Sequence, residues 1–336
     1  MRQDLPTQTL RGLACVLLVL YHVIGSNPSF GLQIADGGLR VLNDVLAPLR
    51  MPLFTVLSGW VYGLRPAQGD AAGFLRGKAR RLLLPMLFVG TMLVAAQTVV
   101  PGANAAAPDW TTLHLLPVGH LWFVESLFWV FGAVLLLERS GCLRDATAFA
   151  ITWLVTAALT LVLPGTPWLG LEGALYLLPY FLAGLALRRF AVIAVLRRQG
   201  LALVLLALAA ALALLAIGEP LPDPARRTVP MLVAGLSGCM LLMALQPRCP
   251  PLASLGQASY AIYLYHVFFT AGARVVFNGV GVTSVLAHCT LGLAAGLLGP
   301  VLIRRVARAH PWSLPVLLGE VARQRGATGT LRKVQA

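Results

Sequence analysis

The chain has 336 residues, of which 58% are hydrophobic and 11% charged, and it carries a net charge of +14. Soluble domains devote roughly one-quarter of their residues to charge, so this composition cannot clothe a water-exposed surface and excludes a soluble globular fold. The positive balance does not make a nucleic-acid binder either, because the basic residues fall between apolar runs without the interleaved aromatic pattern of such modules.

A bilayer core of about 30 Å takes about 20 apolar residues per helix. Ten such runs follow one another, at 9–27, 45–63, 82–100, 119–137, 147–163, 171–187, 201–217, 229–246, 257–277 and 283–303. Turn chemistry separates them at Gly25–Pro28, Pro101-Gly102, Pro164-Gly165, Glu219–Pro224 and Pro250-Pro251. The first run lies behind Arg2 and Arg11, and Gly25-Ser26-Asn27-Pro28 lacks a small-x-small cleavage pattern, which predicts a retained helix. Pro179 predicts a kinked or shallow sixth span. The expected fold is all-α: a polytopic membrane protein of about ten transmembrane helices over 1–310, followed by a basic, poorly ordered cytoplasmic tail over 311–336.

Basic residues mark the cytoplasmic side of a membrane protein. With the N-terminus inside, 21 Lys and Arg fall in the inner segments against 5 outside, namely Arg40, Arg50, Arg226, Arg227 and Arg274. Both termini are therefore expected to be cytoplasmic, in the inner membrane of the cell.

Ionisable groups within apolar spans are functional candidates by default. His22 follows Arg11 by eleven residues, which at about 100° per residue brings both side chains to within about 20° of one helix face, roughly 16 Å apart along the axis. A cytoplasmic arginine thus points the same way as a histidine expected near mid-bilayer; a histidine bonded to a neighbouring helix would leave the same trace. Arg76, Lys78, Arg80 and Arg81 precede the third span. Such a run is either an anchor on anionic lipid or a phosphate grip. The fourth span opens His120-Leu121-Trp122-Phe123, an aromatic belt in its simplest reading, with Glu125 deeper and in need of a partner or a wet cavity. Ser259, Tyr263 and His266 form one polar stripe at i, i+4 and i+7, fit for a site or for helix–helix hydrogen bonds. The five cysteines are scattered with no CxxC spacing, so neither a disulfide framework nor a metal site is expected.

These residues resemble the acyltransferase 3 family of membrane proteins over nearly the whole apolar chain. Leu10-Arg11-Gly12-Leu13-Ala14 through Tyr21-His22 is similar to the family's Arg-x10-His signature, and Met51–Phe54 with Leu57-Ser58-Gly59-Trp60 resembles its Phe-rich Ser-Gly segment. Arg76–Pro85, His120–Phe123 and Ser259–His266 resemble three further blocks, in the same order. The family usually carries aspartate three residues before the signature arginine, and this chain has Gln8 there.

The resemblance implies transfer of an acyl group, acetyl or succinyl, from cytoplasmic acyl-CoA to a hydroxyl of a cell-surface polysaccharide or other glycoconjugate. It needs no permanently bound cofactor. On this reading Arg11 and the cluster Arg76, Lys78, Arg80 and Arg81 hold the CoA phosphates. His22 serves as general base or acyl carrier, Glu125 assists it, and Ser58, His120, Trp122, Ser259, Tyr263 and His266 line the substrate path. Expected partners are acyl-CoA, a carbohydrate or glycolipid acceptor and membrane lipid, with no nucleic acid and no metal. The alternative from another class is a transporter or flippase of a glycolipid or organic acid, which also needs polar groups along a wet path but would show inverted-repeat symmetry that this sequence lacks.

Overall fold

The computed structural model describes residues 4–67, 69–100, 109–217, 227–310 and 312–320. The turns expected at 101–102 and 219–224 and most of the expected tail lie outside the described residues. The chain is built from helices, in order α1 (Leu5–Ile24), α2 (Gly38–Val45), α3 (Ala47–Tyr62), α4 (Ala71–Val99), α5 (Trp122–Arg139), α6 (Ala146–Val162), α7 (Leu171–Arg189), α8 (Val192–Val195), α9 (Leu201–Ile217), α10 (Val229–Leu245), α11 (Pro250–Gln257), α12 (Ser259–Gly279), α13 (Val285–Ala309) and α14 (Leu314–Leu318).

Each of the ten apolar runs coincides with a helix. Among the described residues, eight helical segments are long and apolar enough to cross a membrane, or nine if α10 and α11, bent by 118° across the break at 246–249, form one broken span. The apolar helix α6, at 17 residues, is shorter than these. The chain is an all-α, multi-pass membrane protein. Its outer helices show why lipid is the solvent: Leu203, Leu206 and Leu214 on α9 are 69%, 67% and 60% exposed, which water would penalise and hydrocarbon does not.

Side-chain oxygens start several helices, satisfying amides that the first turn leaves without partners. Asp70 accepts from the Gly73 amide at 2.9 Å to start α4, and Asp145 accepts from Thr147 and Ala148 at 3.0 and 2.9 Å to start α6. At Asp145 the Ala148 amide, then Arg144 and the Thr147 amide, holds the carboxyl below the usual carboxylate range. Where backbones must approach, the residues are small. Gly59 on α3 lies against the Phe181 carbonyl of α7, and Gly184 on α7 lies against Val56 of α3; a Cβ at either would overlap backbone atoms. Gly12 of α1 and Gly256 of α11 form the same kind of seam.

Among the described residues four prolines sit inside helices, Pro52, Pro85, Pro179 and Pro300, and for two of them the freed carbonyl has a named partner. Proline cannot donate to the carbonyl four residues back. Pro179 so frees the carbonyl of Leu175, and Thr160 from α6 donates its hydroxyl to that oxygen at 2.6 Å. The kink expected at Pro179 does not break the helix: α7 runs through as one 19-residue helix. Pro85 frees the carbonyl of Arg81, which receives the Tyr260 hydroxyl from α12 at 2.6 Å.

Three boundaries differ from expectation. The first helix starts at Leu5 and ends at Ile24, so His22 stands in its last turn rather than mid-span. Gly25 then takes φ 105°, a left-handed value that glycine adopts without strain. The second span begins earlier than expected, because α2 and α3 together form one apolar segment, Gly38–Tyr62. Leu314–Leu318, inside the stretch expected to be a disordered tail, is a helical turn packed on α4 and α13, with Leu314 and Leu318 buried and the Leu317 carbonyl taking the Tyr265 hydroxyl at 3.0 Å.

Candidate active site

Helix α1 runs through the middle of the bundle, touching α2, α3, α11, α12 and α13. It therefore carries Arg11 and His22 to opposite ends of the core on one rigid rod.

At the end of α1 three histidines from distant parts of the chain converge. His22 comes from the last turn of α1. His120 comes from a single 3-10 turn, Gly119–Leu121, that Gly119 enters with φ 49°. His266 comes from the middle of α12. The ring centres of His22 and His266 lie 4.7 Å apart, those of His120 and His266 4.7 Å, and those of His22 and His120 5.7 Å. His266 is 0% exposed.

Backbone carbonyls fix two of the tautomers, since a carbonyl oxygen only accepts. His266 Nδ1 is 2.9 Å from the carbonyls of both Ile262 and Tyr263, so it carries the proton and Nε2 holds a lone pair. His120 Nε2 is 3.2 Å from the Leu264 carbonyl, so it carries the proton and Nδ1 holds the lone pair. Both lone-pair nitrogens are buried with no hydrogen-bond partner among the described residues. Tyr263 spends its hydroxyl on the His120 carbonyl, which anchors the 3-10 turn. Among the described residues no group of three His, Cys, Asp or Glu is arranged to hold a metal ion.

His22, His120 and Trp122 open onto a cavity of about 2390 Å³. Its rim carries cations that the sequence reading left without a role. Buried Arg50 stacks its guanidinium 4.2 Å from the centre of the Tyr21 ring, which itself lies 4.9 Å from the His22 ring. Arg50 also donates to Asn43 Oδ1 at 2.8 Å. Arg40 donates to the carbonyls of Gly25 and Ile34 at 2.9 Å, and Arg274 donates to the Gly31 carbonyl at 2.9 Å. Together they fold the 25–34 loop over the end of α1. Arg40, Arg50, Arg227 and Arg274 all line the cavity, with Asp36, Asp44 and Glu172. These four are among the five basic residues that the charge bias assigns to the outer side, and that minority status was the signal that could have found them.

The opposite end of α1 is basic. Arg11 lies within electrostatic reach of Arg81, as does Lys78. Arg11 makes no hydrogen bond or ion pair with any described residue, so among these no carboxylate stands in for the one missing at Gln8. Arg76, Arg80 and Arg81 are exposed. Lys78 turns inward instead, its ammonium 3.6 Å from the Phe131 ring centre and 5.1 Å from that of Phe74.

Not every expected residue joins these two centres. Glu125 is buried beside Gly170, makes no hydrogen bond or ion pair with any described residue, and does not line the cavity. Ser58 returns its hydroxyl to the Phe54 carbonyl of its own helix at 2.8 Å. Ser259 is half-buried at the start of α12, next to the Tyr260–Arg81 contact at the basic end.

The chain matches the acyltransferase 3 family model, described as an acyltransferase domain, over residues 8–305. No curated protein and no solved structure matches it.

Proposed function

Since the chain belongs to the acyltransferase 3 family, we propose that this multi-pass membrane acyltransferase moves an acetyl or succinyl group from cytoplasmic acyl-CoA to a hydroxyl of a cell-surface polysaccharide or glycoconjugate. It does so in the cytoplasmic (inner) membrane. The observation that carries this reading is the single helix α1, which has Arg11 in the basic patch at one end and His22 in the large cavity at the other.

The chemistry follows from that placement. Coenzyme A is a polyanion on a long flexible arm with a thioester at its tip. Guanidinium groups bind phosphate oxygens in bidentate fashion, and Arg11, Arg76, Arg80 and Arg81 present four of them. The arm then spans the roughly 16 Å between Arg11 and His22. The acceptor sugar enters the cavity from the other side. His22 takes the hydroxyl proton as general base while the alkoxide oxygen attacks the thioester carbonyl. As the carbon–sulfur bond breaks, the same proton goes to the departing thiolate, so ester and free CoA thiol form with no net proton change. Trp122 and the arginine-supported loop wall the cavity and exclude water from the attacked carbonyl.

The test is incorporation of label. Purified protein in lipid vesicles is given acyl-labelled acetyl-CoA or succinyl-CoA together with glycan extracted from the source cells. Label found in alkali-labile linkage to glycan, with stoichiometric free CoA thiol, supports the reading and ranks the donors. Binding of CoA without label transfer from either donor overturns the choice of acyl group, and absence of CoA binding overturns the donor.

A further inference from the structure

We infer that Arg304 and Arg308, at the basic end of α13, form a second phosphate subsite that takes the 3′-phosphate of coenzyme A. This rests on the reading of acyl-CoA as the donor.

Coenzyme A carries its phosphates in two places. A pyrophosphate joins the pantetheine arm to the nucleotide, and a phosphomonoester with close to two negative charges stands on the ribose, farther from the thioester. With the arm lying along α1 toward His22, Arg11 and its neighbour Arg81 meet the pyrophosphate. The ribose then lies beyond them, and the fold places a second basic group there.

Tyr260, whose hydroxyl bonds the Arg81 carbonyl at 2.6 Å, lies within electrostatic reach of Glu320. Glu320 in turn reaches Arg304 and pairs with Arg308 at 3.3 Å. The segment 314–320 puts it there. Helix α14 packs on both α4 and α13, and the Leu317 carbonyl takes the Tyr265 hydroxyl at 3.0 Å. Gly319, with φ 60°, lies so close to the Arg81 backbone that a Cβ would overlap it. One turn of chain thus clamps Arg81 to the end of α13. The family match stops at residue 305, so Arg308, Gly319 and Glu320 lie beyond the matched stretch.

Arg304 and Arg308 stand at i and i+4, on one face of α13, where like charges repel. A bridging dianion relieves that repulsion. Arg304 is half-buried and makes no hydrogen bond or ion pair with any described residue. Arg308 gives one nitrogen to Glu320, with side chains 47% and 35% exposed. A pair so exposed contributes little, and a guanidinium has five N–H donors in all, so Arg308 can also grip a phosphate. Guanidinium rather than ammonium at both positions suits bidentate phosphate binding. An anionic lipid headgroup offers the same chemistry, and the test separates the two sources.

The full chain, in phosphatidylcholine nanodiscs, is titrated calorimetrically with CoA and with 3′-dephospho-CoA. Wild type is expected to bind CoA about ten- to a hundredfold more tightly. The double variant Arg304→Gln with Arg308→Gln is expected to lose that preference, with its affinity for dephospho-CoA unchanged. Arg305→Gln removes the same kind of charge about 100° round the helix and is expected to keep the preference. Equal binding of both ligands by wild type overturns the inference. So does an equal loss for both ligands in the double variant, or loss of the preference in Arg305→Gln. A preference that disappears when phosphatidylglycerol is added assigns the two arginines to lipid headgroups and overturns it as well. Binding of neither ligand by wild type instead removes acyl-CoA as the donor, and the subsite with it.

Discussion

Tyr260 on α12 donates its hydroxyl to the Arg81 carbonyl of α4 at 2.6 Å, the oxygen that Pro85 deprives of its helical partner. Two sequence blocks that look unrelated, the basic run ending in proline and the tyrosine-rich start of α12, are therefore one structural unit. The contact fixes the backbone of an arginine in the basic patch relative to the helix that carries His266. Tyr260→Phe should cost about 1 kcal/mol of stability, the net worth of a typical hydrogen bond. It should also raise KM for acyl-CoA while leaving acceptor KM unchanged. Thermal unfolding in detergent and donor titration check both; an unchanged donor KM would confine the contact to stability.

Arg11 faces no carboxylate among the described residues, and Arg76, Arg80 and Arg81 are exposed on the same end. Each guanidinium–phosphate contact is worth about 1.5–3 kcal/mol as a hydrogen bond to a charged group, roughly ten- to a hundredfold in affinity. Arg11→Gln is expected to weaken CoA binding within that range, and neutralising Arg76, Arg80 and Arg81 together to weaken it further. Acceptor binding should be unaffected in both. Calorimetric titration of CoA measures this, with a protease-protection control because these charges also orient the chain.

The α3–α7 seam depends on the absence of side chains. Gly184→Leu should destabilise the protein by about 1–3 kcal/mol or more, as overpacking does, because its Cβ would meet the Val56 backbone. Gly132→Leu on α5 is the control, since a Cβ there meets nothing within 4 Å. The melting temperature of the first should fall and that of the second should hold.

Asp145 starts α6 from outside the membrane. Its carboxyl is held low, first by the Ala148 amide and then by Arg144 and the Thr147 amide. A depressed folded-state value means that the cap's contribution is present above the unfolded aspartate value of about 3.9 and is lost as pH falls through the folded one. The protection factors of the Thr147 and Ala148 amides, that is exchange corrected for its intrinsic pH dependence, should therefore fall on acidification. Asp145→Ala should show the low protection factors already at neutral pH, with no further fall in acid. Protection that is independent of Asp145 would remove the cap from the account.

The helices were legible because lipid demands long apolar runs; their caps at Asp70, Asp145, Thr228 and Ser284 emerged only with the fold. Arg11 and His22 were legible as a pair because both ride one helix with a fixed period. What joins His22 to His120 and His266 was not, since periodicity reports faces and never says which faces meet. Family resemblance marked those blocks without their contacts. At Pro179 the helix stays continuous, and the group that takes up the freed carbonyl, Thr160, lies on a different helix, which periodicity cannot report. Glu125 drew notice as a carboxylate in an apolar span, yet the fold sets it beside Gly170. Leu314–Leu318 is too short to announce itself; its order comes from packing on α4 and α13.

The role of His22 is tested most simply by acyl transfer by His22→Ala beside wild type, both reconstituted in vesicles with acyl-CoA and glycan. The His22→Ala variant is expected to lose at least about 100-fold in transfer, as for removal of a general base, with CoA binding and membrane insertion intact. Transfer at the wild-type rate would contradict that role.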